Sequence, residues 1–514
     1  MSNLININNR PSFAAFIIKN PGNRVYLWSA LLISVFLLFT FKLFYPYPNM
    51  VMDSYVYIKA AYLDLGANSF PIGYSRFLQL FHFFTHSATA LVCFQYLFLE
   101  LACLCFFFTL VYLFQPHKRV RLVLFLFLFV NPLLLYMANF VMADTLFVSI
   151  SLLWLTQLIW IIWQPRPWIV VTHAVLIALA FTIRYNALYY PLFATLVLLV
   201  CRMKPWLKVL AIALQCLLLG SFILYTRGQM KALTGVSQFS PFGGWKLANC
   251  ALYMYGHVYK EDERPVPAQF KQLDSVVRDY FKRTGRVDVL LDYTSNTHGN
   301  FYASSYESPL YRYLYWQFGY DTIFQNFKKW GTIGALYGDY GSWLVGHHPG
   351  FYFYYYTGPN LFRYCMPPTE MFQYLTPYYL RRDKFGHMAA EWFGLSTLQV
   401  PASYIRFRTA IISPFPTLIV MIHLLFAFYF FSFLFSKTRR RLPWQYKTTI
   451  SCMGLLWLTD CLFNATASGI VMRYLVFTMI MEFSIALVLG DFVYRKPEEI
   501  PLALPTTGET ASYI

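Results

Sequence analysis

An all-α integral membrane protein, a multi-span helical bundle with a mostly helical cap on its outer face, is the fold class this sequence predicts. Three observations carry that prediction. Of 514 residues, 58% are apolar and only 12% charged, against about 25% charged in soluble domains. The apolar residues fall into runs near the ~20 residues that a helix needs to cross about 30 Å of hydrocarbon. Lys and Arg gather in alternate segments between those runs, as the positive-inside bias requires. The same composition excludes a disordered chain, and nine cysteines are too sparse for a disulfide scaffold.

Ten spans are expected, at 25–45, 89–114, 121–138, 141–163, 168–184, 186–201, 206–226, 411–436, 448–466 and 473–494. The polar lead 1–24 carries Arg10, Lys19 and Arg24 and is placed in the cytoplasm. No small-residue cleavage site follows the first run, which therefore reads as a retained helix rather than a signal peptide. The first outer loop, 46–88, has only Lys59 and Arg76 as basic residues. Within it Val56, Ala60 and Leu63 share a helical face, which predicts a short amphipathic helix along the interface. Lys118, Arg119 and Arg121 return the chain to the inside, as do Arg166 and then Arg202, Lys204 and Lys208. The runs that meet near 139 and 185 are almost continuous; they are split at Asn139 and Arg184, where tight turns would leave polar groups at the surface.

After this core, 25–226, the stretch 227–410 has no 20-residue apolar run and falls outside. Its 19 Lys and Arg do not oppose that placement, because long loops translocate largely regardless of charge. Residues 268–283 have a helical pattern, and the aromatic run Tyr352 to Tyr356 reads as an interfacial belt, a core or a sugar-stacking surface. Cys250 and Cys365 are the cysteines of this segment and are free to pair in an oxidising compartment. The C-terminal spans, 411–494, enclose a basic inside loop with Lys437, Arg439, Arg440, Arg441 and Lys447, and the tail 495–514 begins with Arg495 and Lys496. The net charge of +18 thus collects where helices leave the bilayer, so no nucleic-acid partner is expected.

Charged groups at the ends of spans are costly and mark candidate sites. Asp53, Asp144, Arg184 and Arg473 come from distant parts of the chain, yet this topology sets all four near the outer face. Each has a bland alternative: helix capping or a favourable dipole position for the carboxylates, snorkelling for the arginines. Functionally, two guanidiniums at the lipid boundary suit a lipid phosphate, which they grip in a planar, bidentate way, and a carboxylate beside them suits a general base. Asp64 lies eleven residues after Asp53, about 16 Å along a straight helix, too far to share its site. His82 and His86 share a helix face, but without an HExxH pattern they predict no metal site, and His347-His348 adds none. No Walker loop, GxSxG, GxGxxG or CxxC is present, which argues against nucleotide-driven pumping and Rossmann-type chemistry. No cofactor is expected.

The order of motifs resembles the GT-C superfamily of polytopic, lipid-phosphate-sugar-dependent glycosyltransferases, such as mannosyl- and aminoarabinose transferases. Asp53-Ser54-Tyr55-Val56-Tyr57 looks like their acidic segment after the first helix, and Pro71-Ile72-Gly73-Tyr74-Ser75-Arg76-Phe77-Leu78 resembles a Pro-x-Gly-Tyr-Pro motif in which Ser75 replaces proline. Asn131-Pro132, then Asp144-Thr145-Leu146-Phe147, and Phe181-Thr182-Ile183-Arg184 follow in the same order. The resemblance spans roughly 25–226, with Arg473-Tyr474 added near the end. It implies a GT-C-type fold and inverting transfer of a sugar from a polyprenyl-phosphate donor to a glycan, lipid or protein acceptor. Asp53 would be the base, Asp144 would orient it or the acceptor, and Arg184 and Arg473 would bind the departing phosphate, with Tyr74 and His82 as further substrate contacts. Because a guanidinium weakens a neighbouring base, the arginines are expected nearer the donor phosphate than Asp53. The implied location is a bacterial inner membrane, with the site on the periplasmic side. A transporter or flippase of a lipid-linked sugar, or a non-catalytic binding protein, is the alternative. A carrier is expected to show paired half-chain repeats and charges at mid-depth, whereas here the marked charges lie at one face.

Overall fold

The structure, a computed structural model, describes residues 11–292, 299–319, 327–372, 384–395, 405–436, 439 and 442–494. Arg10, Lys437, Arg440, Arg441 and the tail 495–514 lie outside the described residues. Among the described residues the chain is helical and contains no strand beyond one isolated bridge, between Asn49 and Phe140. Eight helices are long and apolar enough to cross a membrane. They include α2 (Pro21–Phe44), α5 (Ala88–Phe114), α8 (Ala143–Trp163), α11 (Pro205–Thr234), α22 (Trp444–Ala467) and the apolar stretch Met472–Tyr494, which contains α23 (Val476–Tyr494). The other two are Lys118–Ala138, bent at Asn131-Pro132 into α6 (Lys118–Phe129) and α7 (Pro132–Ala138), and Arg408–Phe435, which contains α21 (Phe415–Phe435).

The expected spans 168–184 and 186–201 are shorter apolar helices. They are α9 (Pro167–Ile183), with 17 residues, and the segment Tyr185–Val200, whose α-helical part is α10 (Tyr190–Val200). At 1.5 Å per residue α9 rises about 25 Å, less than a full hydrocarbon core. Both breaks fall where the polar residues predict, at Asn139 and Arg184. They do not leave those groups at the surface. Asn139 is fully buried, accepting from Lys42 Nζ at 3.1 Å and donating to the Tyr47 carbonyl at 3.1 Å, because a turn packed inside the bundle must satisfy its polar atoms internally.

The helix ends segregate. At one end Tyr112 meets Pro11, Tyr446 meets Leu113, His117 meets Asp491 and Arg202 covers Trp444. At the other end lie Asn49, Asn139, Arg184 and Arg473. The described basic segments therefore share the first end, and the four marked charges share the second.

Two boundaries move. The helix expected to end at 226 continues to Thr234, where Gly235 at φ 79° stops it in the left-handed conformation that favours glycine. The short helix of the first outer loop, α3 (Met52–Tyr62), buries the face Ser54, Tyr57, Ile58 and Ala61, with Tyr55 and Ala60 beside it; of the expected face Ala60 is buried, Val56 half-buried and Leu63 exposed. The buried face follows the i, i+3, i+4, i+7 spacing and is polar at Ser54, which the apolar reading passed over.

Beyond Gly235 the cap has its own aromatic core, separate from that of the bundle. Its centre is α12 (Pro241–Val258) against α16 (Phe327–His347), where Trp245 stacks on Trp330 at 5.5 Å. A Cβ on Gly244 would overlap the Gly334 carbonyl, so glycine permits this approach. The helical pattern at 268–283 is α13 (Lys271–Thr284). The run 352–356 divides: Tyr352 and Tyr356 are buried in the cap, while Phe353 and Tyr354 are exposed. Cys250 and Cys365 are both free; Cys250 is buried with its thiol on the Tyr356 hydroxyl, and Cys365 is exposed.

From the cap, α18 (Gly358–Cys365) runs beside the outer half of α22. Asn360 Nδ2 donates to the carbonyls of Ala465 and Ser468 at 3.0 and 2.6 Å, and Arg363 Nε donates to the Ile470 carbonyl at 3.0 Å. The Met472 amide then donates to the Pro368 carbonyl at 3.0 Å. These bonds lay 358–370 along the approach to Arg473.

Candidate functional site

Local sequence puts each charged group of the site at a helix end. Asp53 and Asp144 both occupy the second position of their helices, α3 and α8, in the first turn where the dipole favours a carboxylate. Neither is the cap, which is Val51 in α3 and Met142 in α8. Arg184 closes α9, and Arg473 lies in the 3-10 turn Met472–Leu475 that leads into α23.

Backbone contacts draw these ends together. The Asn49 amide donates to the Asn139 carbonyl at 2.7 Å, and the Val141 amide donates to the Asn49 carbonyl at 3.1 Å, which ties the strand-like approach to α3 onto the turn before α8. Behind them Gln95 Nε2 donates to the carbonyls of Ala138 and Phe140 at 3.0 and 3.1 Å, while its oxygen accepts from the Tyr74 hydroxyl at 2.6 Å. Tyr74 is thus fully buried behind the charges and holds the turn that carries Asp144. Gly73 explains its own place in the motif. A Cβ there would lie 2.5 Å from the Thr182 carbonyl oxygen, so only glycine lets α4 (Gly73–Phe84) reach the end of α9 beside Arg184. Ser75 donates to the Tyr57 carbonyl at 3.0 Å and pins α4 to α3.

The four marked residues meet. Arg184 is ion-paired with Asp144, and Arg473 Nη1 lies 3.1 Å from Asp53 Oδ2 and 3.5 Å from Asp144 Oδ2. Tyr474 links the arginines through cation-π contacts, 4.8 Å from Arg184 and 5.1 Å from Arg473. Of the two arginines, Arg473 stands against Asp53 and Arg184 pairs with Asp144. In a largely buried cluster each charge needs a counter-charge, so Arg473 sits directly on the carboxylates.

Sequence reasoning missed a third carboxylate. Glu370, from the short turn Glu370–Phe372 of the cap, places Oε2 3.0 Å from Arg473 Nε and Oε1 3.3 Å from Nη2. Burial pushes its carboxyl above the usual range, and Arg473 pulls it back. When all are ionised, three carboxylates face two guanidiniums. Asp53 is the most open of the three, with 30% of its side chain exposed against 3% for Asp144 and 17% for Glu370. No local signal marks Glu370, which sits in an unremarkable stretch of the cap.

His82 is not part of the cluster. It lies nine residues along α4 from Gly73, about 13 Å of helix rise, stacked on Trp392 at 3.9 Å with His86 beside it. Among the described residues no group of three or more His, Cys, Asp or Glu is arranged to hold a metal.

The bundle also holds carboxylates at depth, contrary to the expectation that charge stays at one face. Glu100 accepts from Ser34 at 3.2 Å, Glu482 pairs with His423 at 2.6 Å, and Asp460 lies among Tyr189, Tyr364, Asn464 and Thr478. These single carboxylates inside long apolar helices were passed over in favour of charges near span ends. The fold and its charge cluster define an all-helical membrane protein with an ionic site at one end of its bundle. Comparison with known families, with curated proteins and with solved structures finds no match to this chain.

Proposed function

We propose that this protein is an inverting membrane glycosyltransferase of GT-C type, moving one sugar from a polyprenyl-phosphate donor to a glycan, lipid or protein acceptor. The observation that carries this reading is the convergence of Asp53, Asp144, Arg184 and Arg473, up to 420 positions apart, at one end of the bundle. Asp53, the most exposed carboxylate, takes the proton of the acceptor hydroxyl as that oxygen bonds to the anomeric carbon. The bond from the anomeric carbon to the phosphate oxygen breaks, and the phosphate leaves with the electron pair. Arg473 and Arg184 neutralise that charge, and the carboxylates favour the oxocarbenium-like transition state. Asp144 holds Arg184 in place. The proposed setting is a bacterial inner membrane with the site on the periplasmic side.

The test is mass spectrometry of lipid-linked and surface glycans from a deletion strain complemented with wild type or Asp53→Asn. Loss of one sugar, restored by wild type alone, is the expected result. Equal rescue by both proteins would remove Asp53 from the chemistry, and unchanged glycans on deletion would remove the transferase reading. The depth of Glu482, His423 and Asp460 favours a second reading, a carrier of a lipid-linked sugar. Protein-dependent movement of a labelled lipid-linked sugar across proteoliposomes, without transfer, would select it.

A further inference from the structure

Arg473 has no free edge among the described residues. Its Nη1 serves Asp53 and Asp144, and its Nε and Nη2 form a two-pronged edge on the carboxylate of Glu370. That fork is the edge with which a guanidinium grips a phosphate. A phosphate reaches it only if a carboxylate withdraws.

Glu370 is the one placed to withdraw. Asp53 and Asp144 are fixed in first turns of helices, and Asp144 is also held by Arg184. Glu370 lies on a three-residue turn with φ at 45°, in the left-handed region, where a side chain other than glycine costs about 1–2 kcal/mol. One of its two contacts is also poor: Oε2 and Nε stand 3.0 Å apart, yet neither atom has a hydrogen bond of acceptable geometry. The backbone is strained and one of the two contacts lacks hydrogen-bond geometry, so of the three carboxylates Glu370 is the one least firmly seated by its own element, and an incoming anion on the same edge takes over its pairing with Arg473.

We infer that Glu370 is a resident anion on the phosphate-binding edge of Arg473, exchanged charge for charge when the phosphodiester of a lipid-linked sugar binds. The inference rests on the transferase reading and sharpens its substrate class. The cluster already has three carboxylates for two guanidiniums. Adding a phosphate without removing a carboxylate would set four anions against two cations. Exchange with a singly charged phosphodiester keeps the count unchanged, whereas a lipid diphosphate adds a further negative charge in a buried site. The seat therefore selects a monophosphate-linked donor.

The test uses full-length protein in phosphatidylcholine nanodiscs, with a polyprenyl methyl phosphodiester as the probe and polyprenyl diphosphate as comparator. The expected result is binding by wild type, loss in Arg473→Gln, and binding about tenfold tighter in Glu370→Gln, with the diphosphate weaker in wild type. Glu370→Gly, which relieves the positive φ, gives the same tightening and covers misfolding of the first variant. Arg473-dependent binding that neither Glu370 variant tightens would overturn the exchange and leave the transferase reading standing. No binding by wild type or either Glu370 variant would overturn both. Displacement of the probe by equimolar inorganic phosphate would make the seat a free-phosphate site and overturn the lipid assignment.

Discussion

Replacing Arg473 with methionine strips the common counter-ion from three carboxylates, at 3.0, 3.1 and 3.5 Å from its nitrogens. Removing one partner of a buried ion pair costs about 3–5 kcal/mol. With an unfolding entropy of about 2.1 cal/mol/K per residue, a cooperative chain of 514 residues loses about 1 °C per kcal/mol, so Tm falls by about 3–5 °C. The loss depends on pH in a definite sense. Burial already holds the Glu370 carboxyl above its ordinary value, and removing Arg473 raises it further. A group raised in the folded state contributes stability that is present below its unfolded value, near 4.5, and lost as pH rises through the folded value. The part of the Arg473→Met deficit that comes from Glu370 is therefore smaller at pH 4 than at pH 8. Thermal unfolding in detergent at both pH values measures it, and Glu370→Gln in the same chain recovers at least 1 kcal/mol by removing one unpaired charge. A wild-type Tm at pH 8, or a deficit that ignores pH, refutes the reasoning.

Gly73→Ala sets a Cβ 2.5 Å from the Thr182 carbonyl; it is expected to cost about 1–3 kcal/mol by overpacking and to abolish activity by shifting Arg184, checked by unfolding and by glycan complementation. Tyr74→Phe leaves the buried Gln95 oxygen without its 2.6 Å donor and costs about 1–3 kcal/mol, read as a Tm shift with partial activity retained. In the cap, burial tends to raise the Asp262 carboxyl, but hydrogen bonds from Arg264 and His348 carry it below the ordinary range. A lowered carboxylate contributes stability above its unfolded value and loses it as pH falls through the folded one, so hydrogen exchange at 262–264 and 347–348 should quicken below about pH 4. A maleimide on the native protein should modify exposed Cys365 and spare buried Cys250, and a reductant should change neither result.

How much was legible follows from which signals are local. Helix existence was legible, because a run of about 20 apolar residues states its own length requirement, and even the breaks at Asn139 and Arg184 were marked by polar residues in apolar surroundings. The alternation of basic segments sorted the helix ends, so Asp53, Asp144, Arg184 and Arg473 could be set on one face before any packing was known. What the sequence left unread depends on tertiary contact. Glu370 is one carboxylate of a cap with no periodic pattern around it, and only the ties from Asn360, Arg363 and Pro368 to 465–472 bring it to Arg473. Tyr74 was legible as a motif position and not in its role, since its place behind the site depends on Gln95, on another helix. The reach of α11 to Thr234 escaped for a different reason: its last eight residues are polar enough to leave the membrane while remaining helical.

Asp460, a buried carboxylate of the bundle, differs from those of the site in how fully it is satisfied. Asp460 accepts from the hydroxyls of Tyr189, Tyr364 and Thr478 at 2.8, 3.0 and 2.8 Å and from Asn464 Nδ2 at 2.9 Å, and it is buried. A carboxylate has about four lone-pair positions, so this one is saturated, with no acceptor left for a passing substrate or ion. Its donors come from the turn after α9, from α18, from α22 and from the start of α23, so the node locks the cap's entry into the bundle to the helices that present Arg184 and Arg473. Glu482, fully buried, faces His423 Nδ1 at 2.6 Å without a hydrogen bond of acceptable geometry, while the other nitrogen of His423 meets the Tyr364 carbonyl at 3.1 Å. Asp460 sits at depth as a fastener. Asp53 is the opposite case: it is partly exposed, and among the described residues its polar side-chain contact is one arginine. A reactive carboxylate must keep lone pairs for a substrate proton. By that criterion the open acceptor positions lie with Asp53 at the end of the bundle, whereas Asp460 within it has none to offer.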